Sequence, residues 1–232
     1  MDSYVSLDLE TTGLNPKLDK IIEIGAVKVV NGEVVDRFSE FVNPGRRLEE
    51  RITELTGITE ADLLSAREAK DIIPNLLDFI GDLPLLGHRI LFDYSFVKHE
   101  AVNLGKPFEK DGVDTLKISR ACYPELSSKR LKDMCGYYKI PLKAHRAYND
   151  AEATSCLYEH LRADFSEKYP AMFEPEKLIF QIKRESPARK SQIERISLLI
   201  ERNKIECPYD LSKLTRNEAS RYYDKLVAKY GK

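Results

Sequence analysis

Tryptophan is absent from the 232 residues, methionine occurs three times and cysteine four times. Cys122, Cys135, Cys156 and Cys207 form no C-x-x-C pair, which speaks against a zinc site and against a disulfide framework. They read instead as reduced, mostly buried thiols. Long apolar runs are missing as well. The longest, Ile72 to Gly87, is broken by Pro74, Asp78, Asp82 and Pro84, so nothing reaches the roughly 18 residues of a bilayer span. The N-terminus carries no basic region ahead of an apolar stretch and opens directly as a strand, so a cytosolic location is expected rather than secretion. No internal repeat or low-complexity tract is found.

What is present suits a soluble globular chain: 42% apolar and 32% charged residues, close to the average for such proteins. The length fits one ordinary domain, alone or with a small appendage. Net charge is −1, yet it is unevenly spread. From Ala188 to Lys232 there are eleven Lys/Arg against six Asp/Glu, or +5, which leaves −6 for residues 1–187. Two regions with different tasks are implied.

Tyr4 to Leu9 alternates as a strand, and Ile21 to Val30 forms a second apolar strand that ends at Asn31-Gly32. An Asn-Gly pair between β-rich runs is a hairpin signal, and Val34 to Val42 supplies the return strand. Helical spacing follows near Leu48–Leu55, Thr59–Leu64 and Glu68–Ile80. A buried strand at Leu83–Gly87 comes next, then a helix from Phe92 to Leu104 and a short strand near Val113. Helices near Thr115–Cys122 and Lys129–Tyr138 precede a last one, Ala147 to Asp164. Strands alternating with helices after an opening meander predict an α/β domain over 1–168. Residues 169–190 are proline-bearing and charged and read as a linker. Residues 191–232 read as a small basic appendage with helices at Gln192–Asn203 and Arg216–Tyr230, the second opened by a Thr215/Glu218 capping box.

Asp8 and Glu10 lie two apart on the first strand, so their carboxylates share a face, about 6.5 Å apart at the backbone. Acids so placed can be a solvated face. Here Val5, Leu7 and Leu9 make the strand apolar and central, where a carboxylate needs a reason. Asp93 begins a helix, where an acid also complements the helix dipole. His145 and Asp150 would diverge by about 140° on one continuous helix. They converge only if His145 sits in the preceding loop and Asp150 in the first turns.

Three strings occur in order: Asp8-Leu9-Glu10-Thr11-Thr12-Gly13, His88-x-x-x-Phe92-Asp93-x-x-Phe96 and His145-Arg146-Ala147-x-x-Asp150. Ile21-Ile22-Glu23-Ile24-Gly25-Ala26, Thr56-Gly57-Ile58-Thr59 and Leu131-Lys132-Asp133-Met134-Cys135 accompany them, with Ile140-Pro141-Leu142 ahead of the histidine. Over about residues 1–165 the chain resembles the DEDDh, or DnaQ-like, 3′→5′ exonucleases, the family that includes the proofreading epsilon subunit of bacterial DNA polymerase III. The resemblance implies an RNase H-like fold, a mixed five-stranded sheet flanked by helices. One departure is Arg89, where relatives often carry Asn; its guanidinium could contact substrate phosphate or pair with an acid.

By the same resemblance, Asp8, Glu10, Asp93 and Asp150 would hold two divalent ions. Four carboxylates without sulfur favour Mg²⁺ or Mn²⁺. Asp8 would bridge the ions and His145 would be the general base, since a histidine titrates near neutral pH. The catalytic set is therefore His145, Asp8, Glu10, Asp93 and Asp150. Thr11, Thr12, Leu14, His88, Arg89 and Phe92 are expected at the terminal nucleotide, and Lys129, Arg130 and Lys132 either follow the strand or form a solvated helix start. The expected reaction releases nucleoside 5′-monophosphates from single strands or 3′ ends, with DNA favoured over RNA. An RNA-trimming exoribonuclease and a catalytically silent binding module are the alternatives. Residues 188–232 could grip nucleic acid or dock a polymerase or other protein partner, or be a solvated cap.

Overall fold

The computed structural model describes residues 1–231. Lys232, the last residue of the expected appendage, lies outside the described residues. The chain forms two compact units, one of residues 1–44 and 48–182 and one of residues 45–47 and 183–232.

The larger unit is built on a sheet with the order β3-β2-β1-β4-β5-β6. Its strands are β1 (Tyr4–Thr11), β2 (Ile21–Val30), β3 (Glu33–Phe41), β4 (Leu85–Gly87), β5 (Asp111–Asp114) and β6 (Glu176–Lys177). The opening meander pairs antiparallel, while β4 runs parallel to β1 and β5 parallel to β4. The hairpin at Asn31-Gly32 has φ 52° and 81° at its two central residues, the mirror-image turn whose twist suits a two-residue connection.

Helices α1 (Glu50–Thr56), α2 (Glu60–Leu64), α3 (Ala69–Ile80), α4 (Leu91–Asn103), α5 (Thr115–Cys122), α6 (Leu131–Tyr138) and α7 (Ala147–Phe165) complete this unit. Period-2 alternation divides β1 between two layers. Val5, Leu7 and Leu9 join a core with Ile72, Ile73, Leu76 and Ile80 of α3 and Tyr94, Phe96 and Val97 of α4. Tyr4 joins the other core with Leu157, Tyr158 and Leu161 of α7. Each such aliphatic side chain removed from water stabilises the fold by about 1.5–3 kcal/mol. The same alternation turns Ser6, Asp8 and Glu10 toward the α7 layer, where Ser6 Oγ donates to the Ala151 carbonyl at 2.7 Å.

Three expectations are corrected. The sheet has six strands rather than five, because Glu176–Lys177 adds an antiparallel edge to β5. The first part of the expected linker is not free: Phe173 and Leu178 are buried in the two cores. Apolar residues in a proline-bearing stretch docked it. The thiols are all free, but Cys135 alone is buried and Cys156 is exposed.

The smaller unit is a helical pair, α8 (Lys190–Asn203) and α9 (Arg216–Tyr230). Ile196 and Leu199 of α8 pack with Ala219, Tyr222 and Leu226 of α9 and with Leu214. The Thr215/Glu218 capping box forms as expected, with Thr215 N donating to Glu218 Oε2 at 2.9 Å and Glu218 N to Thr215 Oγ1 at 3.3 Å. Among the described residues, no helix is long and apolar enough to cross a membrane.

Candidate active site

Asp8 and Glu10 are half-buried on the face of β1 that α7 covers. β4 pairs with β1 only at Val5 and Ser6, so beyond Ser6 one edge of β1 has no neighbouring strand. Asp93, in the first turn of α4 and 4% exposed, fills that gap: its Oδ1 accepts the Leu9 amide at 3.0 Å. The Asp93 carboxylate thus reaches the end of β1 from the opposite layer. It is more than a helix-start acid.

His145 stands outside α7 and Asp150 within its first turn, the one arrangement in which the two converge. His145 adopts φ 65°, a left-handed conformation that costs a non-glycine residue roughly 1–2 kcal/mol. Its amide donates to Asp150 Oδ2 at 3.0 Å. Glu10, His145 and Asp150 offer ligand atoms that all lie within 4.8 Å of one another.

The electrostatics follow from this crowding. Burial, and then the carboxylates of Asp93, Asp150 and Glu10, hold the Asp8 carboxyl well above the ordinary range. Burial, with Asp150 and Glu23 next, pushes Glu10 up to about 8. Burial raises Asp150 to about 6 against the opposing hydrogen bond from His145. Asp93 is raised chiefly by burial, although the Leu9 amide works against it. Asp150 Oδ1 is buried with no hydrogen-bond partner among the described residues. Mutually repelling carboxylates with an orphaned oxygen, and no thiolate among them, fit a hard divalent cation.

The residues expected at the substrate divide. Leu14 is 78% exposed and Arg89 is exposed, while Phe92 is half-buried against Phe96, with ring centroids 5.0 Å apart. Thr11 Oγ1 donates to the Gly13 carbonyl at 2.6 Å, and Thr12 Oγ1 accepts the Lys20 amide at 2.9 Å. Both hydroxyls therefore shape the turn after β1. His88 requires correction. Its Nε2 donates to the Lys129 carbonyl at 2.7 Å and its Nδ1 pairs with Thr115 Oγ1 at 2.9 Å. Burial lowers its pKa, and both nitrogens are engaged by the fold, leaving none for a substrate. Lys129 likewise turns its ammonium to the Leu126 and Pro124 carbonyls. Arg89 has φ 84°, a region that Asn tolerates better than Arg.

Glu23, quoted above only within an accompanying string, is 2% exposed and faces Glu10 across the β1–β2 ladder. A carboxylate inside the apolar run Ile21–Val30 carries the same warning as Asp8 in β1. That signal was available in the sequence.

A mixed sheet with helices on both faces, and acids gathered at the end of its first strand, is the RNase H-like nuclease plan. The family model RNase_T, described as Exonuclease, matches residues 5–158, and the chain belongs to that exonuclease family. "DNA polymerase III PolC-type" of Clostridium perfringens is 40% identical over 155 residues, 66% of this chain and 11% of that protein. Its Bacillus subtilis counterpart is 40% identical over 170 residues, 72% of this chain and 12% of that protein. The chain thus spans about an eighth of the length of these relatives or less. Among solved structures, exonuclease X bound to 5′ overhanging duplex DNA aligns with TM-score 0.58 and 23% identity, covering 74% of this chain and 99% of that one. The E. coli exonuclease I complex with single-stranded DNA aligns with TM-score 0.67 and 19% identity, covering 75% of this chain and 43% of that one. At these identities the structural likeness bears on the fold.

Proposed function

We propose that the chain is a metal-dependent 3′→5′ exonuclease that hydrolyses terminal phosphodiesters and releases nucleoside 5′-monophosphates, with DNA the favoured substrate. The observation that carries this reading is the gathering of Glu10, His145 and Asp150 within 4.8 Å, with Asp8 on the same strand face, Asp93 on the Leu9 amide between them, and Asp150 Oδ1 without a partner among the described residues. Asp8, Glu10, Asp93 and Asp150 would hold two Mg²⁺ or Mn²⁺ ions. Bound there, the ions would polarise the attacking water and stabilise charge on the attacked phosphate.

His145, exposed beside Glu10 and Asp150, takes the proton from that water as general base. Asp93 fixes the end of β1 through the Leu9 amide, which holds the Asp8 and Glu10 backbone in place. Exposed Leu14 is set against the terminal base, with Phe92 beside it, and Arg89 takes a phosphate. Relatives named as DNA polymerase III support DNA as substrate, a cytoplasmic setting, and a polymerase or other protein partner; residues 188–232 are the segment assigned to that partner by their +5 charge alone. Purified protein with Mn²⁺ and end-labelled matched DNA, mismatched DNA and RNA strands tests the reading. Release of mononucleotides from DNA 3′ ends is expected. Absence of any release would overturn the enzyme, and faster release from RNA would overturn the substrate.

A further inference from the structure

The segment carrying His145 has little regular structure to hold it. Arg146 occupies the N-cap position of α7 and makes no side-chain cap there, so the first amides of the helix need another acceptor. Glu23 supplies one from β2: its Oε2 accepts the Ala147 amide at 3.0 Å. The same carboxylate grips Arg146, with Nη2 to Oε1 at 2.9 Å and Nε to Oε1 and Oε2 at 3.1 and 3.3 Å. A forked pair of this kind fixes direction as well as distance.

Three further contacts show that the grip is built into the sheet. Glu23 pairs with Phe41 on β3, and the Arg146 guanidinium lies over the Phe41 ring, 5.3 Å from its centroid. Gly25 lies on the same face as Glu23, two residues on. A Cβ there would stand 2.1 Å from Ala147 C and Tyr148 N, so strand backbone abuts the first turn of α7 directly. Glu23 also opposes Glu10 across the ladder, a placement of like charges that is unfavourable without a cation. Arg146 is that cation.

Resting on the exonuclease reading, we propose that Glu23 and Arg146 are a positioning pair, which holds the His145 loop in its strained conformation and sets His145 against Glu10 and Asp150. Neither residue touches the substrate in this role. Their effect runs through His145, because Glu23 clasps the two residues that follow it, Arg146 and Ala147.

The test uses Glu23→Gln and Arg146→Met in the full chain. Each is expected to lower kcat by about tenfold to a hundredfold, the scale of a misplacement of about 1 Å, with KM for the strand within about twofold. Amide hydrogen exchange over residues 143–147 should quicken while the β1–β2 amides stay protected. Either variant placed in a His145→Ala background should produce no further loss in single-turnover rate. A tenfold loss that persists without His145 would overturn the proposal, as would unchanged exchange at 143–147. Arg146 is half-exposed, so Arg146→Met gives the answer even if Glu23→Gln fails to fold. If the wild-type chain releases no mononucleotides, the exonuclease reading fails; if His145→Ala turns over like the wild type, or loses activity while both pair variants retain theirs, the pairing alone fails.

Discussion

The two halves of the site are held by different means. On one side, Asp8 and Glu10 ride on a strand whose neighbour β2 pairs with it from Tyr4 to Thr11, so their spacing is a property of the pleat. On the other, His145 and Asp150 are placed by individual contacts: a backbone amide on a carboxylate, an arginine fork and one glycine that admits a helix end. A ladder distributes the work of positioning over many hydrogen bonds. A loop concentrates it, and single substitutions there should change rate more readily than fold.

The most severe break of this contrast is Asp8→Asn. Loss of mononucleotide release by at least about 10³-fold is expected if Asp8 holds the cations as proposed, while the metal-free protein should melt higher because a repelled, desolvated charge has been removed. A lower melting temperature would show that the Asp8 charge is stabilising. Next comes Gly25→Ala, whose Cβ collides with backbone. Overpacking of this sort costs about 1–3 kcal/mol, measurable by denaturant titration, and should move the His145 side alone.

The third expectation concerns pH. Glu10 and Asp150 sit above their ordinary values in the folded chain, at about 8 and about 6. The folded metal-free protein therefore binds more protons than the unfolded chain in that window, so its stability falls as pH rises from the ordinary carboxylate range toward about 8. Saturating Mg²⁺ should reverse this slope and, at about a hundredfold over its dissociation constant, add about 2.7 kcal/mol. Thermal melts with Mg²⁺ and with chelator decide the matter, and parallel slopes would count against the cation. The smallest effect is that of Arg89→Asn, expected to stabilise by up to about 1 kcal/mol through relief of the positive φ. Equal or lower stability would show that the Arg89 side chain outweighs its backbone strain.

Much of the frame was legible because it obeys local rules. The alternation of Tyr4–Leu9, the Asn31-Gly32 turn and the Thr215/Glu218 box each depend on neighbours a few residues away, and each took the form its chemistry demands. The expected helix start at Ala147 left His145 in the preceding loop, where it is found. What escaped depended on distance along the chain. Nothing local ties Glu23 to Arg146, 123 positions apart, or His88 to the Lys129 carbonyl 41 positions away. The two-residue strand β6 is too short to carry any periodicity, and its formation depends on the edge that β5 offers.

β4 is three residues long, and its brevity has a consequence for shape. Were it extended by one more ladder step, its carbonyl would take the Leu9 amide and the Asp93 side chain would lose its seat. The sheet would then be continuous beside Asp8, leaving a flat wall in place of a notch. A strand that stops early opens a gap from one layer of the molecule to the other, through which an acid on α4 can meet an acid on α7. The recess in which a polymer end would be cut is, in this sense, made from missing backbone.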